Sequence, residues 1–264
     1  YSYYNRLFSV ILKKEGIKVI RFNHGGDRCF FKDSYFWDNG DLDYIDEYVT
    51  YGIKWKVWLE KIVKKSGKKI TIKSIGSDHY TKIYNKFVNQ KYKKNNKILY
   101  IPNSFLGEIR VFPFAKIVDP ILFDWQKYLI EVLQKNGFDV IYKKHPKGFL
   151  NEINFLGGLS SFQSTKPMIE ALEDADMVLC DTAGSAFIES LCAGKNIVLI
   201  NHLQRPFDLS SKPDLKKAVK IIDAYWEANI LKIDEKKLID SFTNFDIKKV
   251  DITKVTKDYY LSRE

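Results

Sequence analysis

The sequence predicts an α/β protein of two Rossmann-like lobes, the C-terminal one a complete parallel sheet with helices on both faces and the N-terminal one partial. Three observations predict it. Short apolar runs of strand character alternate with amphipathic stretches of helical period. The segment from Lys91 to Asn96 is polar and basic apart from Tyr92, as an interdomain linker would be. Beyond it the alternation of strand and helix restarts cleanly.

Taken in order, Tyr3 to Lys14 carries apolar residues at helical spacing and ends at Gly16, a C-terminal stop. Ile17 to Phe22 reads as a strand, Glu47 to Tyr51 as a second, Trp55 to Val63 as a helix, Lys69 to Lys73 as a third strand and His79 to Lys91 as a helix. Only about three strands fall in this half, too few for a full sheet. After the linker come a strand at Lys97 to Ile101, a helix at Asp124 to Lys135 stopped by Asn136-Gly137, and a strand at Phe138 to Tyr142. Pro167 to Glu173 predicts a short helix, Met177 to Cys180 a buried strand, Ser185 to Cys192 a helix stopped by Gly194, and Asn196 to Ile200 a strand. The expected division is residues 1–93 for the partial lobe, 94–235 for the complete one and 236–264 for a helical tail.

Composition bounds the function. The chain has 264 residues, 45% of them hydrophobic, and no run nears the roughly 20 apolar residues that a spanning helix needs. Export is not expected, because the opening residues do not show a basic start, apolar centre and small-residue cleavage site in succession. Three cysteines without metal-like spacing suit a reducing, cytoplasmic setting better than a disulfide framework. The formal charge of +10 favours polyanionic partners, including peripheral association with an anionic membrane at its inner face, although scattered lysines also describe an ordinary solvated surface. Because Tyr1 stands in place of Met and a helix opens almost at once, the sequence is expected to be a piece of a longer protein.

In parallel α/β sheets ligands sit beyond the carboxyl ends of the strands, so the loops after strands carry the chemistry. The strongest is Asp181-Thr182-Ala183-Gly184-Ser185, between a buried strand and a helix. Backbone N–H groups of a first helical turn make an anion site, and Thr182 and Ser185 add hydroxyl donors beside the small Gly184. Glu189, one turn on, is placed to accept hydrogen bonds from ribose hydroxyls. The competing reading is an N-cap supplied by Thr182 or Asp181. A second loop, Lys143-Lys144-His145-Pro146, ends another strand; Pro146 holds His145 extended at the sheet edge, where an imidazole donates to phosphate or moves a proton. The two loops are expected on neighbouring strands, meeting at one anion-sized hollow. A third, Asn23-His24-Gly25-Gly26, ends a strand of the first half and would aim His24 across the cleft as a general base for an acceptor hydroxyl or as a stabiliser of the leaving phosphate. Weaker signals are Gly76-Ser77-Asp78-His79, the loop Asn103-Ser104-Phe105-Leu106-Gly107, Arg110, and His202 with Arg205, the last two expected to close over a base or sugar.

Assembled, these residues resemble the GT-B glycosyltransferases, especially the bacterial group of CDP-glycerol glycerophosphotransferases and capsule-type transferases using CMP-activated sugars. The matching positions are His24-Gly25, His145-Pro146, and Thr182 with Gly184, Ser185 and Glu189, within Ile17 to Ile200. The resemblance implies His24 and His145 as catalytic residues. It implies donor binding by Lys144, Pro146, Thr182, Gly184, Ser185, Glu189 and Ser104. The loop reads Asp-Thr-Ala-Gly-Ser where relatives often carry a Ser pair, and His24-Gly25 continues as Gly26-Asp27 rather than Thr-Pro. The implied activity is transfer of a sugar or polyol phosphate from a CMP-, CDP- or UDP-linked donor to a polysaccharide or lipid-linked acceptor of the cell surface. No cofactor is expected beyond the activated donor. Metal independence is expected from the resemblance and from the reading that no Asp-x-Asp pair of the metal-dependent kind is present. Competing readings are a sugar-nucleotide epimerase of similar architecture and a noncatalytic basic module for polyanions; nucleic acid is disfavoured because no compact basic and aromatic stripe occurs.

Overall fold

The computed structural model describes residues 3–25, 30–31, 40–90, 95–105, 117–145, 156, 159, 162–202, 213–244 and 252–261. The first half holds α1 (Tyr3–Lys14), β1 (Ile20–Phe22), β2 (Glu47–Thr50), α2 (Ile53–Ser66), β3 (Thr71–Ser74) and α3 (Asp78–Phe87). Its strands form a parallel sheet of three, in the order β1-β2-β3. Central β2 is buried along its whole length, whereas β1 lies at an edge with Ile20 and Phe22 exposed.

The second half runs β4 (Lys97–Ile101), α4 (Asp119–Lys135), β5 (Asp139–Lys143), β6 (Phe162–Ser164), α5 (Met168–Ala171), β7 (Met177–Cys180), α6 (Ser185–Cys192) and β8 (Asn196–Asn201). It continues through α7 (Pro213–Ala218), β9 (Lys220–Glu227), β10 (Ile230–Ile233) and α8 (Glu235–Thr243) to α9 (Ile252–Tyr259). Seven strands form one sheet in the order β10-β9-β8-β7-β4-β5-β6, parallel except for the hairpin strand β10. Strands such as β8 read as unbroken apolar runs because helices cover both faces.

From β4 the chain winds outward through β5 to β6, then returns to the other side of β4 and winds through β7 and β8 to β9. The direction reverses between β4 and β7, and a ligand crevice opens at such a switch point. The expectation that the loops after β5 and β7 stand on neighbouring strands is therefore corrected. β4 lies between them, which separates the two strands by about 10 Å.

The halves are joined by more than the chain. One buried cluster runs from Tyr48, Trp55, Leu59 and Ile72 of the first half to Leu99, Val178 and Phe187 of the second. Helix α3 packs on α6, and Phe30 meets Phe187 edge-to-face at 5.8 Å. The expected helical tail comprises α8, which packs on the large sheet, and α9, which returns to the first half against α2 while also touching α6. There Gly52 N donates to Tyr259 O at 2.8 Å and Ser77 N to Tyr260 O at 3.0 Å. Gly52 is required by this approach, since a Cβ at that position would lie 2.2 Å from the Asp258 carbonyl oxygen.

Candidate functional site

At the switch point the chain leaves β7 through Asp181, Thr182, Ala183 and Gly184 and enters α6. The cap reading is settled against both side chains: Gly184 is the N-cap residue, in extended conformation, and no side chain caps the helix. The first-turn N–H groups of α6 therefore lack intrahelical partners. A Cβ built on Gly184 would find only Thr182 Cγ2, at 4.0 Å, so the space beside this turn is open. Ser185 is exposed and Thr182 half-buried at its margin.

Asp181 turns inward instead. Its carboxylate is fully buried and accepts from the Tyr100 hydroxyl at 2.7 Å, Trp125 Nε1 at 3.3 Å and the Asn103 backbone N–H at 3.3 Å. These bonds tie the loop after β4, which carries half-buried Ser104, to the end of β7. Burial and then the neighbouring carboxylate push the Tyr100 hydroxyl well above its ordinary range and raise Tyr142 in the same way. His202, expected over the base or sugar, is buried with its ring nearly perpendicular to Trp125 and Nε2 3.7 Å from Asp181 Oδ1. The two described cysteines, Cys180 and Cys192, are buried, and burial, with the neighbouring carboxylates of Asp181 and Glu189 adding to it, holds both thiols well above their usual range.

The loop after β5 places Lys144 half-buried and His145 exposed, while Pro146, Gly107, Arg110 and Arg205 lie outside the described residues, as do Gly26 and Asp27. Lys143, the last residue of β5, is nearly closed off from solvent and donates to the Lys144 carbonyl at 3.1 Å. Burial lowers its ammonium pKa, against the opposing pull of the Glu189 carboxylate.

From the first half, His24 is exposed at the end of β1, and Gly25 has a φ of 87°, which a glycine adopts without strain. The Gly25 carbonyl accepts from the Tyr80 hydroxyl at 3.2 Å, so this loop is held by α3. Next to Tyr80, His79 reaches across to the second half. Its Nε2 stands 2.7 Å from Glu189 Oε1. No local pattern announces this pairing, because the two residues lie 110 positions apart and Gly76-Ser77-Asp78-His79 reads as an ordinary connector after a strand; Ser77 caps the helix that follows it.

The structure thus brings together Thr182, Gly184, Ser185 and Glu189 on one turn and a half of chain, with His79 beside Glu189 and Lys143 within its electrostatic reach. The reading on acidic pairs needs correction. Asp41-Leu42-Asp43 and Asp174-Ala175-Asp176 both have Asp-x-Asp spacing. Each of the four carboxylates is engaged by a cation: Asp41 by Arg21, Asp43 by Arg6 and Lys68, Asp174 by Lys166 and Asp176 by Lys195. Among the described residues no group of three His, Cys, Asp or Glu side chains is arranged to hold a metal ion, and no helix is long and apolar enough to cross a membrane.

No protein-family model matches the sequence, and no curated protein matches it. Solved structures do, 11 chains in all. One is the GtfA/B complex, at 12% identity and a TM-score of 0.49 over 95% of this chain and 52% of that one. Another is UGT89C1 of Arabidopsis thaliana complexed with UDP, at 12% identity and a TM-score of 0.54 over 96% of this chain and 65% of that one. The chain therefore spans between about half and two thirds of the length of the structures it matches. Two mainly parallel α/β sheets, the larger with a switch point between β4 and β7, give this chain the GT-B fold of the glycosyltransferases.

Proposed function

We propose that this chain binds a nucleotide-activated donor at the switch point of the larger sheet and transfers its sugar or polyol phosphate to an acceptor held from the first half. The observation that carries the proposal is the uncapped first turn of α6, open beside Gly184, with Glu189 one turn further on facing the other half of the molecule. Free N–H groups at the positive end of a helix stabilise the phosphate charge that grows on the departing nucleotide. Thr182 and Ser185 add hydroxyl donors at its margin, Ser104 lines the crevice from β4, and Lys144 and His145, followed by Pro146, approach from β5. Glu189 accepts from ribose through the carboxylate oxygen that His79 does not occupy. His24 acts as the base for the acceptor hydroxyl, and the reaction needs no metal. The UDP complex of the plant protein supports a nucleotide in this fold. The His-Gly, His-Pro and Ser-loop set favours CMP- or CDP-linked donors and a cell-surface polysaccharide or lipid-linked acceptor, on the cytoplasmic side of the membrane.

The test uses Gly184. Its φ of −97° suits any residue and a Cβ there clashes with nothing, so Gly184→Val is sterically admissible at its Cβ and adds bulk where a phosphate would sit, with circular dichroism of the variant as the control for folding. CMP, CDP or UDP should raise the melting temperature of the wild-type chain, Gly184→Val should cancel the rise, and Ser185→Ala and His145→Ala should reduce it. A wild-type chain indifferent to all three nucleotides, or a Gly184→Val variant that keeps the full response, removes the proposal.

A further inference from the structure

Among the described residues, Lys143 and Ser164 are neighbouring buried polar groups with hydrogen-bonding capacity that the fold leaves unmet. Ser164 closes β6 and Lys143 closes β5, and the two are direct partners in the parallel register. Register partners on adjacent parallel strands project to the same face with their backbones about 4.8 Å apart. The Ser164 side chain is fully buried and its hydroxyl oxygen has no hydrogen-bond partner. The Lys143 ammonium carries three donors, and the one bond the described residues give it is to the Lys144 carbonyl. No carboxylate among the described residues stands within ion-pair distance of it; Glu189, the carboxylate whose charge it feels, is committed to His79 at 2.7 Å.

A buried cation with spare donors beside an orphaned hydroxyl costs stability unless something supplies acceptors. Both groups lie at the carboxyl edge of the sheet, Lys143 on the strand beside β4 and Ser164 on the edge strand β6, and this is the edge at which a ligand rather than the core supplies acceptors. An ammonium is a point charge suited to phosphate oxygens, and a hydroxyl donates one further bond to the same group. We infer that Lys143 and Ser164 form a phosphate-binding subsite at the ends of β5 and β6, distinct from the first turn of α6 and aimed at a phosphoryl group of the ligand that the crevice holds. In the transferase reading, on which this placement of the ligand rests, the subsite takes the phosphate that α6 does not reach.

Inorganic pyrophosphate, cytidine, CMP and CDP titrated calorimetrically against the whole chain test it. Pyrophosphate should bind the wild-type chain, Lys143→Met should weaken it at least about tenfold, and Ser164→Ala about threefold, the latter leaving the fold intact because it deletes a hydroxyl that bonds to nothing. Pyrophosphate that fails to bind, or that binds both variants as it binds the wild type, overturns the subsite. The transferase reading fails separately. Pyrophosphate binding that is lost in the variants, with CMP and CDP no tighter than pyrophosphate, keeps the subsite and sinks the nucleotide; tight CMP binding unchanged in Lys143→Met does the reverse.

Discussion

His79 of α3 and Glu189 of α6 meet at 2.7 Å across the two halves of the molecule, with the imidazole 61% exposed and the carboxylate 14% exposed. A pair so open to solvent on one side contributes little to stability, under about 1 kcal/mol. In the proposed donor site its role is positional, since His79 holds one oxygen of Glu189 and the proposal gives the other to a ligand. His79→Ala should therefore leave the urea midpoint almost unchanged, while Glu189→Ala should weaken CMP and CDP several-fold and leave inorganic pyrophosphate untouched, as calorimetry would read directly. Equal losses for nucleotides and pyrophosphate would mean that Glu189 does not recognise the nucleoside.

Asp181 is the anchor beneath the site. Asp181→Ala strips the acceptor from the buried Tyr100 hydroxyl and Trp125 indole N–H together, and each unsatisfied group costs about 1–3 kcal/mol. Loss of several kcal/mol in urea unfolding is expected, and Tyr100→Phe combined with Asp181→Ala should recover part of it. Full additivity of the two changes would contradict the shared bond.

Tyr100 and Tyr142 give a pH signature. Burial raises both above the ordinary tyrosine value, so folding is favoured by the neutral hydroxyl and their contribution is complete below pH 10. Above that the unfolded chain releases protons that the folded chain keeps, and stability falls toward the raised folded values. Tyrosinate absorbance in an alkaline titration should show these two side chains ionising only together with loss of the near-ultraviolet signal of the fold.

Gly52 tests the return of α9. Gly52→Ala places a methyl group 2.2 Å from the Asp258 carbonyl and should cost about 1–3 kcal/mol by forcing the backbones apart. Hydrogen exchange at the Gly52 and Ser77 amides, both bonded to carbonyls at the end of α9, should accelerate in the variant.

Lys195 is nearly buried, 3.3 Å from Asp176 and 4.9 Å over the Phe87 ring, and burial lowers its pKa against the pull of Asp176. Removing the partner leaves an uncompensated charge, so Asp176→Ala should cost about 3–5 kcal/mol, and Lys195→Met in the same chain should restore much of it. Equilibrium unfolding of the two variants decides between pairing and mere packing.

Much of this architecture was legible because local pattern and tertiary demand agree. β4, β7 and α6 occupy the residues their apolar runs announce, since a strand buried on both faces has no polar positions to blur its ends. β6 went unread because Phe162–Ser164 is too short to show a period, and the β9–β10 hairpin turns on Ala228 and Asn229, both at positive φ without a glycine to mark them. Strand order is a long-range property, which is why the loops after β5 and β7 read as adjacent while Tyr100 and Ile101 stand between them. For the candidate site, the small residues at 182–185 mark the turn that the structure leaves open and uncapped at Gly184, whereas the burial of Lys143 and Ser164 was hidden: a lysine beside another lysine reads as surface until its burial is seen.

Helix α9 has a mechanical consequence. The polypeptide passes from the first sheet to the second between β3 and β4, and passes back between α8 and α9, where Gly52 and Ser77 fasten it. The two halves are thus tied at both ends of the chain path as well as by the core they share. Separating the halves therefore means breaking those bonds and parting the α3–α6 contact together, so the two sheets are expected to unfold as one cooperative unit.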